Sequence, residues 1–210
     1  MNRPAKTPLN LLAAALSATL SLALVACSAA PETPAAAAPE EPPLAGATIG
    51  GEFELTDKNG ETVRWSDFDG QYRIVYFGFT YCPDICPTDV QRMTQGLRQF
   101  AEAAPDRAAQ IRPIFITIDP ERDTPEIVGE FANAFSEDLI GLTGTPEQIK
   151  AAADTFRIFY AKGEVTETGG YLMDHSNITY LFGPDGEPIA TLPTDQGADA
   201  VTAELDKWVS

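Results

Sequence analysis

The run YRIVYFGF, residues 72–79, passes directly into TYCPDICP, and this junction restricts the fold more than any other part of the chain. A continuous β-branched and aromatic run leaves no polar face for water, as expected of a strand buried on both sides of a sheet. Beyond the cysteines, Val90, Met93, Leu97 and Phe100 recur at helical spacing. A buried strand therefore feeds a helix through the segment that holds Cys82 and Cys86. Pro87 suits the first helical turn and biases Cys86 away from helical geometry. This places Cys86 near the N-cap, with CPDI as the loop ahead of it. The positive end of the helix would there favour its thiolate, the form that attacks disulfides and binds metals.

The remaining elements follow in order. EFELTDKNGETVRW reads as two short strands around an Asn59-Gly60 turn. IRPIFITID is a second buried strand, and Thr124 and Pro125 supply the N-cap and first position of a helix. LIGLTG is a short third strand. TPEQIKAAADTFRIFY opens with a Thr145–Gln148 capping box and is read as helix throughout. NITYLF, the turn GPDGEP, PIATL and the helix GADAVTAELDKWV close the chain. A leading β-hairpin, then βαβαβα, then a hairpin and a helix specify an α/β fold with a central sheet and helices on both faces. With a cysteine loop between the first core strand and its helix, the order looks thioredoxin-like. There is no internal repeat.

The chain starts with MNRPAK, then a short apolar stretch ending in LVAC. A small residue directly before Cys27 matches a bacterial lipoprotein signal over residues 1–26, with Cys27 lipidated. The alternative is an uncleaved anchor helix ending near Ala26. Both readings place the protein outside the cytoplasm and hold it to a membrane; the first puts it on the periplasmic face. Residues 27–47 are nearly all Ala, Pro and Glu and read as an extended tether, leaving 48–210 as one domain. The net charge is −17 at pH 7. A polyanion of this kind excludes nucleic-acid binding through phosphates and favours cationic partners.

If Cys27 carries lipid, two of the three cysteines remain as thiols. A disulfide between Cys82 and Cys86 would close almost no loop and add little stability, so the pair is chemical rather than structural. Four-residue spacing leaves a wider loop than the three-residue spacing of thioredoxin-type motifs, with room for an ion between the sulfurs. Two thiolates are too few for a structural zinc site, so further ligands must come from elsewhere. The chain has one histidine, His175, in GGYLMDHSNITYLF. A lone histidine is usually unremarkable, but two cysteines with one imidazole form a soft, low-coordinate set that suits copper. Met173 offers a thioether yet reads as core, and Asp174, adjacent to His175, does not readily converge with it. Arg122 and Asp123, in the loop Asp119–Thr124, read as loop-stabilising and helix-capping residues. Tyr81 reads as a wall residue.

FTYCPDICP, TIDPERDTP and YLMDHS together resemble the SCO/SenC family of copper-binding proteins, over roughly residues 48 to 208. The resemblance implies a thioredoxin-like fold and one copper ion, Cu(I) or Cu(II), held by Cys82, Cys86 and His175. It implies a metallochaperone serving the binuclear copper site of cytochrome c oxidase, with the copper-bearing subunit as partner. Other periplasmic copper or thiol-redox proteins are further partners on this reading. The alternative is a thiol-disulfide oxidoreductase, with Cys82 and Cys86 as a redox-active pair that reduces the cysteines of that site or acts in redox signalling. Peroxide reduction is disfavoured, because the threonine such chemistry wants three residues before the cysteine is Phe79 here. The segment KGEVTETGGYLMDHS, residues 162–176, is expected to be ordered by metal.

Overall fold

The computed structural model describes residues 40–165 and 170–210. A hairpin comes first: β1 (Glu54–Thr56) pairs antiparallel with β2 (Thr62–Arg64). Gly60 takes the left-handed conformation its turn requires, and Asp57 accepts the amides of Asn59 and Glu61. Then follow β3 (Tyr72–Gly78), α1 (Ile85–Ala103), the single turn α2 (Pro105–Ala108) and β4 (Ile111–Thr117). Next come α3 (Pro125–Phe135), β5 (Ile140–Leu142), α4 (Pro146–Thr155) and β6 (Tyr160–Lys162). The chain ends with β7 (Met173–His175), β8 (Thr179–Phe182), β9 (Pro188–Leu192) and α5 (Ala198–Trp208).

The central sheet has the order β5-β4-β3-β8-β9, with β3, β4 and β5 parallel and β8 and β9 added antiparallel. All seven residues of β3 are buried, which is what its unbroken apolar sequence demands. Alternate side chains leave the strand on opposite faces. Tyr76 stacks with Phe115, which meets Phe131 of α3, whereas Phe77 meets Phe156 just past α4, with Trp65 and Phe182. Both faces of the sheet are therefore covered, and the fold is the expected thioredoxin-like α/β architecture with its N-terminal hairpin. Helices α1 and α5 approach closely at Gly96, where an added Cβ would sit 2.7 Å from that of Val201.

Two local expectations do not hold. The helix α4 stops at Thr155 instead of running to Tyr160: Phe156 turns into the core and Arg157 adopts a left-handed conformation, with φ 58°. Residues 160–162 then pair as β6 with β7, a strand made of Met173, Asp174 and His175 that the sequence pattern did not announce. Pairing over distance has overridden local helical periodicity here.

The expected leader, residues 1–26, and Cys27 lie outside the described residues, as do residues 166–169 of the segment expected to respond to metal. Contact with the fold begins ahead of residue 48. The Leu44 amide donates to the Ile189 carbonyl at 3.0 Å, and the Leu44 side chain lies against the core. Among the described residues no helix is long and apolar enough to cross a membrane.

Candidate metal centre

The cysteines occupy the crossing from β3 to α1. Helix α1 starts at Ile85, with Asp84 as N-cap, so Cys86 lies near the N-cap as expected, as the second helical residue, and the loop ahead of it ends one residue earlier than CPDI. Pro87 still falls within the first turn, where its missing N–H removes no helical hydrogen bond. The expected thiolate preference is overturned. Cys86 is fully buried, and this desolvation pushes its thiol well above the ordinary cysteine range. A backbone hydrogen bond from Phe79 opposes the shift, Cys82 reinforces it, and the Tyr76 hydroxyl opposes it in smaller measure. Glycine at position 78 makes the arrangement possible, because a Cβ there would meet the Cys86 sulfur at 3.2 Å and the Tyr76 ring at 2.9 Å.

His175 arrives from β7, where it pairs with Tyr160. Its ring stands edge-on to Tyr76 and Phe79, with centroids 6.4 and 6.0 Å away. Nδ1 lies 2.9 Å from the Ser176 carbonyl oxygen, which can only accept, so Nδ1 carries the proton. Nε2 is then the bare nitrogen, and it faces the Cys86 sulfur at 3.3 Å. Burial lowers the histidine's pKa and favours the neutral ring that a ligand must be. Cys82 is partly exposed, is not bonded to Cys86, and its sulfur accepts the Cys86 amide at 3.4 Å. The sequence-derived set is thus brought together as two neighbouring pairs. Among the described residues no three Cys, His, Asp or Glu side chains already converge on one point. The set nevertheless fits a soft ion: loss of one proton from Cys86 leaves a thiolate beside an imidazole lone pair.

Of the two roles read for Asp123, loop stabilisation and capping, the structure shows the first. Thr124 caps the helix through the Ile127 amide, while the fully buried Asp123 carboxylate accepts the Thr80 amide at 2.9 Å and hydroxyl at 2.6 Å, and the Thr117 hydroxyl. It anchors the chain just before Tyr81 and Cys82. Desolvation raises its pKa, and these hydrogen bonds only partly offset the rise. The folded protein therefore keeps this proton to higher pH than the unfolded chain. Its contribution is fully present below the unfolded aspartate pKa, near about 4, and is lost as pH rises through the raised folded value. Wild type should accordingly lose stability relative to Asp123→Asn as pH climbs from about 4. Urea midpoints at stepped pH measure this, and a pH-independent difference would refute it.

Met173 is half-buried against the core and lines an open cavity of about 510 Å³ with Pro120, Pro146 and Tyr160. Asp174 is exposed and leaves β7 on the side opposite His175. Tyr81 is exposed beneath the Arg122 guanidinium, 4.9 Å from its ring centroid. The sequence reading missed Tyr76 and Asp89. The Tyr76 hydroxyl donates to the buried Asp89 carboxylate at 3.3 Å, one helical turn beyond Cys86. The available signal was an acidic residue next to Val90, on the helix face that the apolar periodicity turns inward.

A five-stranded mixed sheet with a Cys-x3-Cys crossing beside a single imidazole defines a thioredoxin-like protein with a combined thiol and nitrogen centre. The chain belongs to the SCO1/SenC family, whose model matches residues 41–210. It is 45% identical over 139 residues to the mitochondrial SCO1 homolog of Mus musculus, covering 66% of this chain and 48% of that protein. It is 42% identical over 156 residues to an SCO2-like protein of Rickettsia felis, covering 70% of this chain and 74% of that one. The solved structure of Bradyrhizobium japonicum ScoI with copper bound is similar at a TM-score of 0.68 and 34% identity, over 76% of this chain and 99% of that one. The chain spans about half the length of the mammalian SCO1 relatives it matches.

Proposed function

We propose that this protein is a copper metallochaperone. Cys82, Cys86 and His175 take one copper ion, Cu(I) or Cu(II), and surrender it by ligand exchange to the copper-bearing subunit of cytochrome c oxidase. The observation that carries this reading is the His175 Nε2 lone pair, bared by the Ser176 carbonyl and directed at the Cys86 sulfur. A dithiol reductant has no need of that nitrogen. The copper bound in Bradyrhizobium japonicum ScoI supports the same reading. Copper is cargo here: Cys86 gives up its proton as the ion enters, Cys82 exchanges its amide contact for the ion, and the Ser176 carbonyl keeps the His175 tautomer fixed. Uptake should therefore release protons. The experiment is a titration of the reduced protein with Cu(I) in competition with a chromophoric chelator. One equivalent should bind tightly to wild type, and neither Cys82→Ser nor Cys86→Ser should retain it. Equal retention by all three proteins would sink the ligand set.

A second reading, thiol-disulfide exchange with the oxidase cysteines or in redox signalling, is favoured by the two unbonded thiols and the partial exposure of Cys82. For placement, we propose that residues 1–26 are removed, that Cys27 is lipidated, and that the following Ala/Pro segment tethers the domain to the periplasmic face. Mass spectrometry of the mature protein should find Cys27 modified at the N-terminus. An intact Met1 or an unmodified Cys27 would reject that placement.

A further inference from the structure

We infer that Arg122 is a positioning residue for the copper centre, joining the loop that bears the cysteines to the hairpin that bears His175. The inference rests on the ligand set proposed above. Cys82 and Cys86 are mounted on the central sheet, at the β3–α1 crossing. His175 is mounted on a separate two-stranded sheet, β6–β7, which among the described residues shares no ladder with the central one. The backbone ties β7 to the central sheet only through residues 176–178, which lead into β8, so side-chain contacts are left to set the fine placement of nitrogen against sulfur.

Arg122 occupies the turn after β4, a third segment, and touches both of the others. Its Nε donates to the Asp119 carboxylate and its Nη1 to the Tyr171 carbonyl at 2.9 Å. The guanidinium carbon lies 3.6 Å from the Tyr171 ring centroid, 4.9 Å from that of Tyr81 and 5.8 Å from that of Phe79. Tyr81 directly precedes Cys82, Phe79 meets the His175 ring, and Tyr171 begins the YLMDH segment that ends in His175. The Tyr171 hydroxyl closes the clasp by donating to Asp119 at 2.8 Å, and the Asp119 amide donates in turn to the Thr117 hydroxyl. An ion pair that only stabilised the 119–124 turn would need neither tyrosine. The planar fork and the ring contacts are features lysine cannot reproduce.

The test is a double-mutant cycle on the full-length protein with copper as the probe. Copper retention is measured by chelator competition, and nitrogen coordination by the hyperfine pattern of the Cu(II) spectrum. Arg122→Gln should weaken retention by about 10- to 100-fold, the range for partners that orient a metal ligand, and should fade the nitrogen signature although His175 is still present. In a His175→Ala background the same change should have little further effect, because the residue being positioned is gone. Arg122→Lys should resemble Arg122→Gln, and it carries the cycle if the glutamine variant does not fold. Equal losses in both backgrounds, or an intact nitrogen signature in Arg122→Gln and Arg122→Lys, would overturn the positioning role. If His175→Ala alone retained copper like wild type, the proposed ligand set itself would fall, and this inference with it.

Discussion

Replacing His175 by alanine should cut copper retention by more than about 100-fold, beyond the range for loss of a partner that merely orients a ligand. The substitution deletes one of three donors and the only nitrogen among them. Cu(II), which prefers nitrogen beside sulfur and a higher coordination number, should suffer more than Cu(I). Both sulfurs remain, so Cys82 and Cys86 should still cycle between dithiol and disulfide, a reaction that asks only for thiolate and access. The two proposed functions therefore separate on one variant. In cells at low copper, a His175→Ala strain should fail to assemble active oxidase, as the cysteine mutants do. Should it respire like wild type while the cysteine mutants fail, thiol reduction is the function.

Phe156→Ala should cost about 3–5 kcal/mol of stability, at least a fifth of the roughly 5–15 kcal/mol of a typical domain. The ring is fully buried at the end of α4 and meets four aromatic partners: Trp65 at 5.3 Å, Phe77 and Phe182 at 5.4 Å and Phe53 at 6.3 Å. Those partners come from the N-terminal segments, β3 and β8. Truncation opens a cavity where these parts meet, and backbone on several sides prevents collapse into it. Denaturant unfolding should show a lowered midpoint, with copper still bound by the folded fraction, since Phe156 packs on the sheet face reached by Phe77 and not that of Tyr76. A loss below about 1 kcal/mol would mean that the cluster relaxes freely and contributes little to holding the hairpin.

What could be read in advance follows from how local each signal is. The β3 run, the Thr124 and Thr145 caps and the Asn59-Gly60 turn are set by neighbouring residues, and the structure reproduces them. Cys82, Cys86 and His175 stood out as candidates because the chain offers so few soft donors and the motifs around them resemble the family's, and the structure brings the three side chains close together. Their environment was not. A helix start predicts a stabilised thiolate only if water or a cation is near, and the burial of Cys86 beside Gly78, Tyr76 and the distant His175 depends on tertiary packing. The β6–β7 pairing was illegible for a similar reason: RIFY continues a helical pattern, and only the partner strand and the core pocket for Phe156 pull it out of the helix. Arg122 and Asp123 were noticed as loop residues, but which of them reached the cysteine segment, and through which atoms, required the third dimension.

The unequal burial of the two sulfurs fixes an order of events. Cys86 has no accessible surface, whereas Cys82 is partly open to solvent. Thiol exchange needs the attacking sulfur to come in line with the bond it breaks, and a ligand swap needs the incoming donor to reach the ion. On either proposed function, an approaching protein meets Cys82 first and Cys86 last. Any mixed disulfide forms through Cys82, with Cys86 left as the resolving thiol. On the proposed copper function, an ion in transit would likewise leave its outer sulfur before its inner one, which makes the handover directional.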